Sequence, residues 1–246
     1  MNRNTAERPG RVSTQEAILD AAEEVFADSG FHGATTRAIS ERAQANIALI
    51  HYYFGSKENL FEAVFARRSE AINEERRARL GELRVQGAMT LEAILDALLR
   101  PTVTLGRDPA RGGAHYARLL VHVASGTDER SRRMTGERYN EIARRFIDEI
   151  GVATPGIARG DAVRCYMNAI AIGMSLMAPT GRAEDLSHGT LRDDDVDDTI
   201  AAAVCFIAAG TRAVAAAGRS GEAAERCTDN PRGSGKPVFE EEEKEP

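Results

Sequence analysis

Residues 36–57 read TRAISERAQANIALIHYYFGSK, and two short helical patterns fit inside them. Over 36–43, Ile39 and Ala43 fall four apart and share a face; over 47–54, Ile50 and Phe54 do the same. Thr35 or Thr36 can cap the first helix and Asn46 the second, which leaves Gln44-Ala45-Asn46 as the turn. Two helices of about seven or eight residues around such a turn have the dimensions of a helix-turn-helix.

The second of these helices carries His51, Tyr52 and Tyr53 in a chain of 246 residues where only 5% are Phe, Trp or Tyr. With Ile50 and Phe54 turned inward, Ile47, Ala48, Leu49, His51, Tyr52 and Tyr53 are left on the exposed and flanking faces. A helix that only fills a core does not place two phenols and an imidazole there. In a helix-turn-helix the second helix enters the major groove: tyrosine hydroxyls and helix N-termini bind phosphate oxygens, and small apolar side chains meet thymine methyls. Two other readings stand beside this one. Tyr53 packs half-buried at a helix junction, or the 47–57 surface docks a partner protein, as in a helical adaptor.

Working outward, Ile18, Ala21, Ala22, Val25 and Phe26 form one apolar stripe on a preceding helix. Ser13 and Glu16 open it as a capping box, and Gly30 stops it. Downstream, Gly55-Ser56 separates the turn motif from a long helix that starts at Lys57, with Ser56 as N-cap, and runs to about Val85. Helical pattern returns at 90–105, 114–125, 128–150, 160–178 and 194–217, parted by Gly-, Pro- and Asp-rich loops at 106–113, 154–156 and 179–195. Strand-like alternation is absent after residue 57. The expected fold is all-α. A three-helix helix-turn-helix domain spans 13–57 and a helical bundle 58–217, between a disordered arm (1–12) and a disordered acidic tail (218–246).

A net charge of −6 does not advertise a nucleic-acid binder. Residues 1–70 alone carry −2, but their acids crowd into 16–28, and between 30 and 57 there are three bases against one acid. A DNA-facing surface needs positive charge only where phosphates lie. Hydrophobic content of 42% supports a packed core, and no run approaches the roughly 18 apolar residues that span a bilayer. The three cysteines, Cys165, Cys205 and Cys227, are scattered and odd in number, which fits a reducing cytoplasm. No GxSxG, P-loop, GxGxxG or paired Cys/His spacing occurs, so neither catalysis nor a cofactor is expected. His115 and His122 share a helix face without a third ligand at matching spacing, so no metal site is expected. Met167, Ile170, Met174 and Met177 make a soft apolar stripe that serves core, helix-to-helix packing or a ligand pocket.

Residues 14–61 resemble the N-terminal domain of TetR-family transcriptional regulators. The resemblance rests on AAxxVFAxxGF at 21–31, TTxxISxxA at 35–43 and IHYYFGSKENL at 50–60. It implies a homodimer on a near-palindromic double-stranded DNA operator, most simply a repressor released by a small apolar effector; an activator with the same DNA domain is the alternative. By position, Arg37 resembles the family's base-reading or phosphate-binding arginine, and Thr36 a phosphate contact. Ile47, Ala48 and Leu49 occupy the groove-facing start of the recognition helix. Tyr52 and Tyr53 resemble its backbone-contacting aromatics, and Lys57 the phosphate lysine. Gln44 stands where the family's turn usually has Gly, Asn46 where it has Ser or Thr, and His51 where it has Tyr. The two last long helices are the implied dimer interface, with Ala169, Ala171, Ala201, Ala202, Ala203, Ala208 and Ala209 permitting close approach. A pocket wall of Leu119, His122, Met167, Ile170 and Met174 is expected. The run RRFIDEI at 144–150 and the late apolar helix are similar to fatty-acid- or acyl-CoA-responsive members.

Overall fold

A computed structural model describes residues 13–192 and 194–219, which form helices joined by short connections, with no strand among the described residues. In chain order the helices are α1 (Thr14–Gly33), α2 (Thr36–Arg42), α3 (Ile47–Phe54), α4 (Lys57–Gln86), α5 (Leu91–Gly106), α6 (Gly113–Ser125), α7 (Glu129–Ala153), α8 (Arg159–Leu176), α9 (Arg182–Leu186) and α10 (Val196–Arg219). A 3₁₀ turn, Pro109–Arg111, precedes α6. The expected arm 1–12 and most of the expected tail 218–246 lie outside the described residues, and α10 continues through Arg219.

Each helix start has a local cause. Ser13 and Glu16 exchange both hydrogen bonds of a capping box, at 3.0 and 3.2 Å. The Thr35, Asn46 and Ser56 side chains accept from the backbone N–H of Ala38, Ala48 and Asn59 at 3.1, 2.9 and 3.1 Å. Gly30, at φ 67°, breaks α1 where the sequence predicts its end, and one further turn follows to Gly33. The turn between α2 and α3 puts Gln44 at φ 50°, a left-handed backbone that costs an L-residue about 1–2 kcal/mol. Glycine removes that strain but loses more entropy on folding. Gln44→Gly is therefore expected to raise unfolding stability by about 0.5–1 kcal/mol, read from the urea midpoint at fixed protomer concentration.

Two buried clusters organise the molecule. In the first, Phe26 of α1, Ile39 of α2, Ile50 of α3 and Phe65 of α4 pack with Tyr116 of α6. The second gathers Ile94 and Leu98 of α5, Phe146 of α7, Ala169 of α8 and Ile200 of α10. The expected division at residue 57 is therefore not a break in packing: α4 belongs to both clusters, and α6 packs on α1. The α1 stripe also differs from its sequence pattern. Val25 is only partly covered, while Glu23 is buried. Residues 179–195, expected as loop, contain the single-turn α9.

Helix α10 corrects the expectation that no segment is apolar enough to span a bilayer. Val196–Gly218 meets that test by length and composition, with mean hydropathy 1.8. Short runs of alanine and glycine hid this in a residue-by-residue reading. One strip of α10 (Ile200, Ala203, Val204, Ile207, Ala208) is buried against α5 and α8. The opposite strip is exposed and carries Phe206 at 73% exposure.

Candidate nucleic-acid interface and internal cavity

Helix α3 is held chiefly through Ile50, the one of its eight residues that is fully buried, with Leu49 and Phe54 partly covered. Everything else on it is presented outward. Tyr52 is 79% exposed and Tyr53 40%, their rings in edge contact at 5.1 Å. Ile47, Ala48 and His51 are exposed, and the His51 ring nitrogen Nδ1 lies 3.2 Å from the Gly55 carbonyl oxygen at the helix end. Leu49 is turned half inward, so it offers less to a groove than its position in the sequence implies. On α2, Thr36 is half-buried beside the exposed Arg37, whose Nε–H donates to Glu41 at 2.9 Å. An exposed pair of this i,i+4 kind contributes only about 0.3–0.5 kcal/mol, so a phosphate or base can displace it.

Lys57, the expected phosphate lysine, is engaged with the protein's own backbone. Its ammonium donates to the carbonyls of Phe31 and Ala34, both at 2.9 Å, and sits 4.5 Å from the centre of the Phe31 ring. Two of its three N–H donors thus tie the start of α4 to the end of α1. A cation at a helix N-terminus is disfavoured by the dipole, and here the carbonyls compensate it. Phe31 is also covered by the Arg130 guanidinium of α7, which bonds Glu62 of α4 at 3.3 Å. The end of α1, the start of α4 and α7 are thus clasped around the Phe31 ring, beside the core contacts that α1 makes with α4 and α6.

A cavity of about 490 Å³ opens between α4, α5, α6, α7 and α8. Met167, Ile170 and Met174 line it, with Leu99, Leu120 and Ile147 opposite. Leu119 and His122 do not. Leu119 is buried in the first core cluster one residue away from the lining Leu120, and His122 lies exposed on the surface. The spacing on α6 was legible, but its rotation about the helix axis depends on packing against α1. Sequence reasoning missed the polar lining: Arg76, Tyr139 and Tyr166. Arg76 stands in EERRAR, a run that reads as a solvated face, and no periodic signal separates it from its neighbours.

Arg76 is 3% exposed. Its Nε–H donates to the Leu98 carbonyl at 3.0 Å and its Nη2 to the Thr102 hydroxyl at 2.9 Å. Pro101 lies inside α5 between those two partners and supplies no N–H to the preceding turn, which loosens the helix there. Tyr139 shares a 3.0 Å hydrogen bond with Tyr116. Burial pushes the phenols of Tyr116, Tyr139 and Tyr166 up, so all three remain neutral.

Residues 18–64 match the family described as "Bacterial regulatory proteins, tetR family", and residues 96–210 match "Tetracyclin repressor-like, C-terminal domain". The chain is 49% identical over 51 residues to the HTH-type transcriptional repressor NicS of Pseudomonas putida; the match covers 21% of this chain and spans 24% of that repressor's length. Among solved structures, the fatty acid degradation regulator FadR of Bacillus halodurans aligns with TM-score 0.58 at 14% identity, over 82% of this chain and 96% of the other. FadR of Bacillus subtilis in complex with stearoyl-CoA aligns with TM-score 0.55 at 14% identity, over 80% and 97%. Both halves of the described structure thus carry one family's signature, and the chain belongs to the TetR family of bacterial transcriptional regulators.

Proposed function

We propose that this protein is a cytoplasmic, homodimeric transcriptional repressor that binds a near-palindromic DNA operator and is released by a small apolar effector. The observation that carries the reading is α3, an eight-residue helix anchored through one fully buried side chain, with its remaining faces turned outward beside Arg37. Such a helix reaches only a few base pairs, so useful specificity requires two half-sites about 34–36 Å apart and two copies of the chain. The groove-facing residues are Ile47, Ala48 and, in part, Leu49. Thr36, Arg37, Tyr52 and Tyr53 take the phosphates and the neighbouring base edges. His51 lies at the edge of that surface, and Lys57 contributes by fixing the helix that supports it.

The effector acts through α4. Arg76 on the cavity wall and Lys57 at the domain junction sit 19 residues apart on one continuous helix, about 28 Å at helical rise. A ligand that moves α4 at the cavity therefore moves the junction and the spacing of the two reading helices. The cavity size and apolar lining, and the overall likeness to the two FadR structures, support an effector of the fatty-acid or acyl-CoA kind.

Fluorescence anisotropy on DNA from the chain's own upstream region tests the reading. Arg37→Ala and Tyr52→Ala are each expected to weaken binding about tenfold or more, the 1–3 kcal/mol of a good base or charged contact, while sedimentation shows the dimer retained. Equal binding by both variants and the parent, or no enriched DNA in an unbiased genomic selection, overturns it. In the second case a protein-docking role for the same surface takes its place.

A further inference from the structure

The cavity holds a buried positive charge that the protein leaves without a negative partner. Arg76 takes part in no ion pair among the described residues, and its two hydrogen bonds go to a carbonyl and a hydroxyl, both neutral. Charged side chains are almost never buried at this level unless paired, because their desolvation is costly. Lysine could escape the cost by shedding its proton; a guanidinium cannot. The nearest titratable groups on the cavity wall, Tyr139 and Tyr166, are phenols held neutral by burial and supply no anion. Five N–H donors are present on the guanidinium and two are engaged by these bonds.

We infer that the effector is an apolar monocarboxylate which enters head-first, its carboxylate seated on Arg76 and its hydrocarbon body along Met167, Ile170 and Met174. The planar guanidinium fork matches a carboxylate in two parallel hydrogen bonds. Tyr139 and Tyr166 line the same cavity as neutral hydroxyls, and Thr102 holds one guanidinium N–H through its own neutral hydroxyl, so none of the three brings a competing negative charge. A coenzyme A thioester fits this arrangement poorly. Its carboxyl carbon is neutral, and its several phosphates would need more cations than the single buried one. The second lining arginine, Arg144, is exposed on α7. Seating an anion on Arg76 also changes the balance of forces on α4 and on the Pro101 turn of α5, which links this inference to the release mechanism proposed above, on which it rests.

Isothermal titration of the full chain with dodecanoate, methyl dodecanoate and dodecanoyl-CoA tests it, with operator binding of the same preparation measured alongside. Dodecanoate is expected to bind at least about tenfold more tightly than its methyl ester, the difference made by one charge-assisted pair. Arg76→Gln is expected to bring the acid down to the level of the ester. Arg76→Lys, which keeps the charge and loses the fork, is expected to retain part of the preference and serves as the control for folding. The inference is overturned if acid and ester bind alike, if only the thioester binds, if none of the three binds, or if Arg76→Gln keeps the preference. Any of these results with operator binding intact removes the inference and leaves the repressor reading standing. Loss of operator binding in the parent chain, with the acid preference present, does the reverse.

Discussion

Phe206→Glu is expected to convert the proposed dimer into a folded monomer that no longer holds the proposed operator. Phe206 sits on the outward strip of α10, with Cys205 and Ala202 exposed beside it, while Ile200, Val204 and Ile207 anchor the helix to α5 and α8 on the other side. Nothing in the protomer's core depends on the ring, and glutamate is a good helix former, so the protomer keeps its fold. In a two-fold interface the substitution counts twice. Each copy loses about 2 kcal/mol or more of buried aromatic surface and gains a charge in an apolar contact, together about 4 kcal/mol and roughly a thousandfold in the dimer dissociation constant. Operator affinity falls with it, because a monomer reaches one half-site only. Sedimentation equilibrium reads the first effect and anisotropy the second. A parent chain that sediments as a monomer, or a variant that stays dimeric, removes this face from the interface.

Glu23→Ala is expected to cost about 3 kcal/mol of stability, a large loss for a charged residue placed at neither the DNA-facing surface nor the cavity. The buried Glu23 carboxylate accepts from Arg67 Nη2 at 2.9 Å and from Arg68 Nε at 2.8 Å, through the same oxygen. Arg67 has a second acceptor in Asp20 at 2.7 Å, but Arg68 has none among the ion pairs of the described residues. Removing the carboxylate leaves a largely buried guanidinium uncompensated, a class of change that costs about 3–5 kcal/mol. Partial exposure of Arg67 places the expected value at the lower end. The loss falls on the joint between α1 and α4. Operator affinity is therefore expected to drop as well, although Glu23 lies far from α3's outward face. Urea unfolding at fixed protomer concentration measures the first effect; a change below about 1 kcal/mol shows that the cluster contributes no net stability.

Much of the reading half of the molecule was legible from local patterns. The capping residues Ser13, Thr35, Asn46 and Ser56 act within three residues of themselves, and Ile39, Ile50 and Phe54 follow a helical period. The left-handed Gln44 was legible only through the resemblance, because it stands where the family's turn usually has Gly. The cavity was legible only where it lies on a single amphipathic stripe. Met167, Ile170 and Met174 were found on α8, whereas Leu119 and His122 were placed on the wrong side of α6.

What failed to show in the sequence has one physical origin. A charged residue in a chain that is 28% Asp, Glu, Lys and Arg reads as solvent-exposed until another helix covers it. Glu23 and Arg76 look like ordinary surface charge in a helical pattern, and Lys57 like an outward phosphate contact. Tertiary packing makes Glu23 a buried bridge to α4, Lys57 a clasp on the end of α1, and Arg76 a buried cation with no ion pair among the described residues. By itself the sequence determined the helices, their caps, the turn between α2 and α3 and the face that α3 turns outward, because those depend on contacts a few residues apart. Only the tertiary structure decided which charges lost their water, because desolvation is imposed by segments 22 to 45 residues away, as from Arg76 to Leu98 and from Glu23 to Arg68.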